Sequence, residues 1–210
     1  ASFTVKEVRA LIEEHGAIGV AEVMNYPAVI NGDPMFRDII ATAGWRRVDG
    51  HAPGLRGPQL DAYLAVGVES DHEVFELDEA HEKRQKGMWV FLRQGSVSQD
   101  LVRLLPTVVS HGTTATSFCT DDREPDLLRD EGHLNHCIRL AVESGLSVID
   151  ALCVASYYPA QYHNFFHLCK MNKLTSFPKE KLKILLLEGI HPTAVKIIKN
   201  AGYSHVDALP

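Results

Sequence analysis

Carboxylates and histidines occur at the ends of successive apolar segments that have the composition of β-strands. In chain order these residues are Glu22, His51, His72 and Asp121. Imidazole and carboxylate groups are ligands for borderline and hard divalent cations, and a pair of such cations can activate water for hydrolysis. The placement of these side chains therefore predicts a hydrolytic metal centre.

Each of these residues also has an ordinary structural interpretation. A single histidine after a strand, such as His51, is commonly a loop or helix-capping residue, and an Asp-Asp pair before Arg-Glu-Pro can cap a turn. Glu22 is harder to explain in this way, because an unpaired carboxylate buried in an apolar strand is costly. Four ligand-type residues at four strand ends favour the metal centre.

The segments that carry these residues alternate between short apolar strands and amphipathic helices. Strands are predicted over residues 19–25, 47–51, 66–71, 88–92 and 113–120. Helices are predicted over residues 35–43, 58–65, 77–86, 97–104, 134–144 and 148–155. Repeated βα units predict an α/β fold with a parallel sheet, as in a partial (β/α)₈ barrel, where reactive groups lie at the carboxyl ends of the strands.

Composition and charge disfavour several classes of protein. The net charge of −6 is unlike that of a general binder of nucleic-acid phosphates. The longest aliphatic run, residues 184–187, is far shorter than the roughly 20 apolar residues of a membrane span. No signal peptide is evident, and the four cysteines are widely spaced, so we expect free thiols and a cytoplasmic protein.

Six short motifs between residues 5 and 168 resemble the bacterial adenine deaminase family of the amidohydrolase superfamily. The motifs are Gly-Val-Ala-Glu-Val-Met-Asn-Tyr-Pro (19–27), Asp-Gly-His-Ala-Pro-Gly-Leu (49–55), Ser-Asp-His-Glu (70–73), Arg-Gln-Gly-Ser (93–96), Thr-Asp-Asp (120–122) and Gly-His-Leu-Asn (132–135). The resemblance implies strands 4–8 of the amidohydrolase barrel. It also implies a hydrolase of purine metabolism that converts adenine, a small-molecule substrate, to hypoxanthine and ammonia. A binuclear manganese or iron centre is implied as well, and a homo-oligomer is left open.

The resemblance also implies roles for particular residues. Glu22 resembles the carboxylate that bridges the two metals, and His51 and His72 resemble the ligands from the next two strands. Asp121 resembles the ligand that also takes a proton from the attacking water. The remaining implied residues are Glu73, as a catalytic contact to the purine, and the substrate-side residues Asp122, Ser96 and His133.

Two departures from the family pattern affect the expected activity. The first barrel strand of amidohydrolases supplies a His-x-His pair to the metals, and this chain contains no His-x-His. We expect that pair to lie upstream of Ala1, so the isolated chain should be inactive. In addition, Gln94 stands where the family usually has glutamate.

From Met171 onward the chain resembles a different family. Residues 183–191 and 194–203 are similar to the opening strand and helix of D-3-phosphoglycerate dehydrogenase, but the Gly-x-Gly-x-x-Gly motif that binds NAD is missing. We therefore divide the chain into a barrel part, 1–168, and a βαβ-like start, 169–210. This tail is interpreted as a gene junction or a fused reading frame, or alternatively as an unusual βα element packed on the barrel.

Three other functions remain open at this stage. The chain could be a catalytically inactive interaction protein derived from the barrel, with incidental ligand-type residues. It could also be an amidohydrolase that acts on another cyclic amine or amide. A dehydrogenase is the weakest alternative, because it depends on the tail alone.

Overall fold

The computed structural model describes residues 3–165, 183–186, 196, 199–200 and 205–208. The chain divides into two compact units, Ala1–Asn164 and Phe165–Pro210. The first unit contains a five-stranded parallel sheet in which each strand pairs with the next strand along the chain. The strands are β1 (Gly19–Val23), β2 (Arg47–Gly50), β3 (Ser70–Asp71), β4 (Trp89–Arg93) and β5 (Thr116–Cys119).

In the first unit, helices precede the first strand, occupy the connections between the strands and follow the last strand. They are α1 (Val5–Glu13), α2 (Tyr26–Ile30), α3 (Pro34–Thr42), α4 (Gly57–Ala65), α5 (Leu77–Gln85), α6 (Leu101–His111), α7 (Pro125–Asp130), α8 (Leu134–Glu143), α9 (Val148–Leu152), the π-helical turn Cys153–Tyr157 and α10 (Tyr158–Tyr162). The side chains of Asn25, Asp33 and Ser147 accept hydrogen bonds from backbone amides at the starts of α2, α3 and α9. Such caps explain why these helices begin where they do.

The predicted α/β fold with a parallel sheet is confirmed, although the described residues do not form a closed barrel. Two elements differ from the prediction. The third strand is reduced to two paired residues, because the chain turns at Gly67 with a positive φ of 103°. The helix predicted from residue 97 begins at Leu101, because Asp100 N–H bonds back to the carbonyl oxygen of Arg93 and closes a turn.

Two apolar clusters hold the helices against the sheet. One cluster joins β1 and β2 to helices α2–α4 and includes Val48 and Leu60. The other joins β4 and β5 to helices α5, α6, α8 and α9 and includes Leu92 and Leu104. Full burial of an aliphatic side chain contributes about 1.5–3 kcal/mol. The clusters therefore fix the strand ends from which the candidate ligands project.

The second unit contains a pair of parallel strands, β6 (Lys183–Leu186) and β7 (His205–Ala208). The resemblance over residues 183–191 and 194–203 predicts a strand followed by a helix, and residues 196, 199 and 200 are helical. The predicted boundary at residue 168 lies outside the described residues. No described helix is long and apolar enough to cross a membrane.

Candidate metal centre

The four candidate ligands come together at the carboxyl edge of the sheet. Glu22 belongs to β1, His51 and His72 directly follow β2 and β3, and Asp121 follows β5 by two residues. The strands are parallel and adjacent, so their carboxyl ends lie along one edge. Asp121 turns its backbone into the left-handed region, with φ of 53°, a conformation that aspartate adopts more readily than most residues.

Glu22, His51 and His72 form the first group of side chains that could hold a cation. The Nε2 atom of His72 lies 3.0 Å from Oε2 of Glu22, and the Nδ1 atom of His51 lies 3.5 Å from Oε1 of Glu22. One ligand atom from each residue lies within 4.8 Å of the others. This spacing allows one cation to contact all three.

The Nδ1 atom of His51 supports the interpretation of this group as a metal site. It is buried and has no hydrogen-bond partner among the described residues, although it lies 3.5 Å from a Glu22 oxygen and 3.8 Å from a Glu73 oxygen. Buried ring nitrogens are normally hydrogen-bonded. A lone pair aimed between two carboxylates fits a cation bound there.

A second group consists of His72, Glu73 and Asp121, whose ligand atoms also lie within 4.8 Å of one another. His72 belongs to both groups, so the five side chains form one continuous cluster of candidate ligands. Imidazole and carboxylate groups clustered in this way suit divalent cations.

Arg93, at the end of β4, neutralises the two carboxylates of the second group. Both of its terminal nitrogens contact Glu73, and Nη1 lies 2.9 Å from an oxygen of Asp121. Burial raises the pKa of Asp121, but hydrogen bonding to Arg93 and the nearby charges outweigh it, so the pKa of this carboxyl is below its ordinary value. Asp121 is thereby held in the ionised form that a metal ligand requires.

One premise of the sequence interpretation is wrong. Glu22 was expected to be buried within its strand, yet its side chain is 29% exposed, because β1 is an edge strand of the sheet. Its carboxylate contacts His72 and is not enclosed in the protein interior. The case for Glu22 as a ligand therefore depends on its geometry and not on the cost of burying it.

Asp122, one of the three predicted substrate-side residues, lies in the loop that follows β5. The other two, Ser96 and His133, form hydrogen bonds with this loop. The hydroxyl oxygen of Ser96 accepts a hydrogen bond of 2.6 Å from the backbone N–H of Glu124. The backbone N–H of Ser96 donates to the carbonyl oxygen of Asp122, and His133 contacts the Thr120 hydroxyl through Nε2 at 2.8 Å. These contacts order the loop, and a role toward substrate stays a prediction.

Sequence reasoning missed a set of buried charged residues beneath the site. Asp71, Glu79 and Lys83 are each no more than 1% exposed, and the ammonium of Lys83 contacts both carboxylates. The apolar residues of helix α5 are only Leu77 and Ala80. A helix with so little apolar surface between two strands is a sign that charged residues face the interior.

Gln94, the departure from the family motif, lies directly after β4 and is 6% exposed. Its carbonyl oxygen and that of Gly95 accept hydrogen bonds of 3.2 Å from Nη1 of Arg123. The Arg123 side chain, 2% exposed, also contacts Glu131. Arg123 thus connects the loop that contains Gln94 to the segment leading into α8.

A parallel α/β sheet with imidazole and carboxylate ligands at the carboxyl ends of its strands is typical of metal-dependent hydrolases with barrel folds. The chain is 43% identical over 199 residues to the adenine deaminase of Archaeoglobus fulgidus, which covers 94% of the chain and 34% of the relative. It is 37% identical over 209 residues to the adenine deaminase of a Methylobacterium species, covering the whole chain and 36% of the relative. The predicted resemblance to adenine deaminases is therefore confirmed.

The chain spans about a third of the length of the curated relatives it matches. A further match, the adenine deaminase of Methanoregula boonei, is 44% identical over 147 residues, which is 70% of the chain and 26% of the relative. No protein-family model matches the chain. An uncharacterised protein of known crystal structure aligns with a TM-score of 0.52 at 18% identity, over 77% of the chain and 48% of that protein, which supports the fold alone.

Proposed function

We propose that this chain supplies most of the metal ligands of an adenine deaminase that converts adenine and water to hypoxanthine and ammonia. The observation that carries the proposal is the pair of ligand groups sharing His72. The names of the relatives support adenine as the substrate. A binuclear manganese or iron centre in a cytoplasmic enzyme of purine metabolism is part of the same proposal.

Glu22, His51, His72 and Asp121 would hold the divalent cations, with Glu22 as the carboxylate that both share. Bound divalent cations lower the pKa of water and so provide hydroxide near neutral pH. Asp121 lies beside both ligand groups and would accept the proton of the attacking water and deliver it to the departing amine.

Glu73 would contact the purine ring as the water attacks C6. Its carboxylate lies between the ligand groups and the guanidinium of Arg93, which fixes its orientation. Asp122 in the loop after β5, Ser96 in the loop after β4 and His133 before α8 would contact the substrate. The overall reaction breaks the C6–N bond, forms a C6–O bond and releases ammonia.

Manganese binding to the purified chain tests this proposal. His72→Asn should weaken Mn²⁺ binding more than tenfold, since both ligand groups lose a member, and the affinity is measured by titration with electron paramagnetic resonance of free Mn²⁺. His15→Asn, which removes an exposed histidine after α1, is the matched control and should leave the affinity unchanged. Equal Mn²⁺ content in His72→Asn and the unmodified chain would favour the interaction protein instead.

A further inference from the structure

Asp71, Glu79 and Lys83 form a buried triad between β3 and helix α5. Lys83 Nζ lies 2.5 Å from Oδ2 of Asp71 and also contacts Oε1 of Glu79. All three side chains are essentially inaccessible to solvent. One ammonium between two buried carboxylates leaves the triad with a formal charge of −1.

The triad holds the loop that follows His51. Lys83 donates a hydrogen bond of 2.7 Å to the carbonyl oxygen of Ala52, and Asp71 accepts one of 3.2 Å from the N–H of the same residue. Glu79 accepts a hydrogen bond of 2.8 Å from the N–H of Gly54. The backbone immediately after His51 is thus fixed by charged groups at three points.

The triad also holds the segment that contains His72. Asp71 precedes His72 directly, and its Oδ1 atom accepts a second hydrogen bond, 2.8 Å long, from the N–H of Glu73. One carboxylate therefore fixes the backbone on both sides of His72 and, through Ala52, the residue after His51. The distance between the two imidazole rings, whose centroids are 5.4 Å apart, depends on this carboxylate.

The energetics of burial argue against a purely stabilising role for these charges. Buried ion pairs rarely stabilise a fold more than apolar residues of the same size would, because removing the charges from water is costly. The three donors of the Lys83 ammonium are all used, so its position is fully determined by the groups around it. Charged hydrogen bonds of this kind are short and directional. They are therefore better suited to fixing the positions of the candidate metal ligands than to increasing the stability of the fold.

We propose that the buried triad positions His51 and His72 for metal binding, with Lys83 and Asp71 as positioning residues that never contact the metal. The proposal rests on the metal centre proposed above. Lys83→Met, which keeps most of the length of the side chain but removes the ammonium, leaves two buried carboxylates unpaired. Asp71→Asn keeps the shape and leaves a charge-balanced Lys83–Glu79 pair, so it provides a second variant if Lys83→Met does not fold.

We expect both variants to bind Mn²⁺ at least tenfold more weakly than the unmodified chain. Amide hydrogen exchange at Ala52, Gly54 and Glu73 should be faster at the same time. Leu104→Ala, which removes a fully buried side chain on α6, provides the control for lost stability. It should lower the unfolding midpoint while leaving Mn²⁺ affinity and exchange at the three amides unchanged.

A folded Lys83→Met or Asp71→Asn variant with normal Mn²⁺ affinity and normal exchange at these amides would overturn the proposal. The same conclusion would follow if Leu104→Ala produced equal changes at equal loss of stability. An unmodified chain that binds no Mn²⁺ would refute the metal centre alone. Amide exchange then still decides whether the triad orders the two loops, because it measures the backbone and not the ion.

Discussion

At the residue level, Tyr63 connects two of the ligand-bearing strands. Its hydroxyl donates a hydrogen bond of 2.6 Å to the carbonyl oxygen of Val23 and accepts one of 3.2 Å from the N–H of His51. Burial raises the pKa of Tyr63, so the hydroxyl stays protonated and remains a donor. A Cβ at Gly50 would lie 2.9 Å from this oxygen, so the glycine before His51 allows the close approach.

We expect Tyr63→Phe to lower the free energy of unfolding by about 1–3 kcal/mol, because a buried carbonyl and a backbone N–H each lose their partner. Urea unfolding monitored by circular dichroism measures this change. Tyr26→Phe is the matched control, since the Tyr26 ring packs against Tyr63 and its hydroxyl makes no hydrogen bond within residues 3–165. An equal effect of the two substitutions would contradict the assigned role of the Tyr63 hydroxyl.

The convergence of the candidate ligands could be predicted from the sequence because their chemistry and position repeat. Each of them lies near or just after the end of an apolar strand, and parallel strands bring such residues together. Tyr63, Asp71 and Lys83 could not be assigned in this way. Their roles depend on which helix face meets which loop, and local patterns in sequence do not contain that information.

At the level of elements, Glu82 joins α5 to the start of α4. Its carboxylate accepts hydrogen bonds from Nε of Arg56 at 2.8 Å and from the N–H of Gly57 at 2.6 Å. These hydrogen bonds, with that to Arg56 the largest cause, lower the pKa of Glu82 from 4.5 to about 2. The carboxylate is therefore more acidic in the folded chain than in the unfolded chain.

A lowered pKa makes the Glu82 contribution to stability depend on pH. The contribution is fully present above about pH 4.5 and is lost as the pH falls toward 2, when the carboxylate gains a proton. Glu82→Gln should therefore unfold at lower urea than the unmodified chain near pH 6, and the difference should shrink toward pH 2. Glu76→Gln, at the residue that immediately precedes the same helix, is the control, and an equal pH-dependent loss there would contradict the prediction.

The elements themselves were predictable to different degrees. All five strands of the first unit lie within or next to their predicted ranges, since short apolar runs bounded by turns are a strong pattern. The helix predicted at 97–104 is displaced to Leu101–His111, because Gly95 N–H bonds to the Ser98 carbonyl oxygen and the chain turns first. Helices α2 and α7 were not predicted, and each is six residues or fewer.

At the level of the whole molecule, the sheet has two open edges, and Glu22 lies on one of them. Beside it lies an apolar cleft of about 420 Å³, whose lining includes Phe3, Val8, Leu11 and Phe36. A closed active site excludes water from the reacting groups. A strand at the edge of a sheet leaves the side chain that it carries, here Glu22, partly exposed to water.

We therefore expect the purified 210-residue chain to release no measurable ammonia from adenine, even with added Mn²⁺. The chain contains no His-x-His pair, which the family resemblance implies as metal ligands, and it spans about a third of the length of its relatives. A coupled ammonia assay, with a full-length adenine deaminase as the positive control, measures this outcome. Sustained Mn²⁺-dependent ammonia release by the pure chain would contradict it.

The short third strand has a consequence for how the sheet responds to its ligand. Only two residues of β3 pair with each neighbour, and the two apolar clusters lie on either side of it. The candidate ligands come from both sides, with Glu22 and His51 before β3 and Asp121 after it. Cation binding at this edge is then thermodynamically linked to the association of the two halves of the sheet, β1–β2 and β4–β5, across β3. A cation at one hundred times its dissociation constant would add about 2.7 kcal/mol of stability, chiefly by opposing separation of the halves at β3.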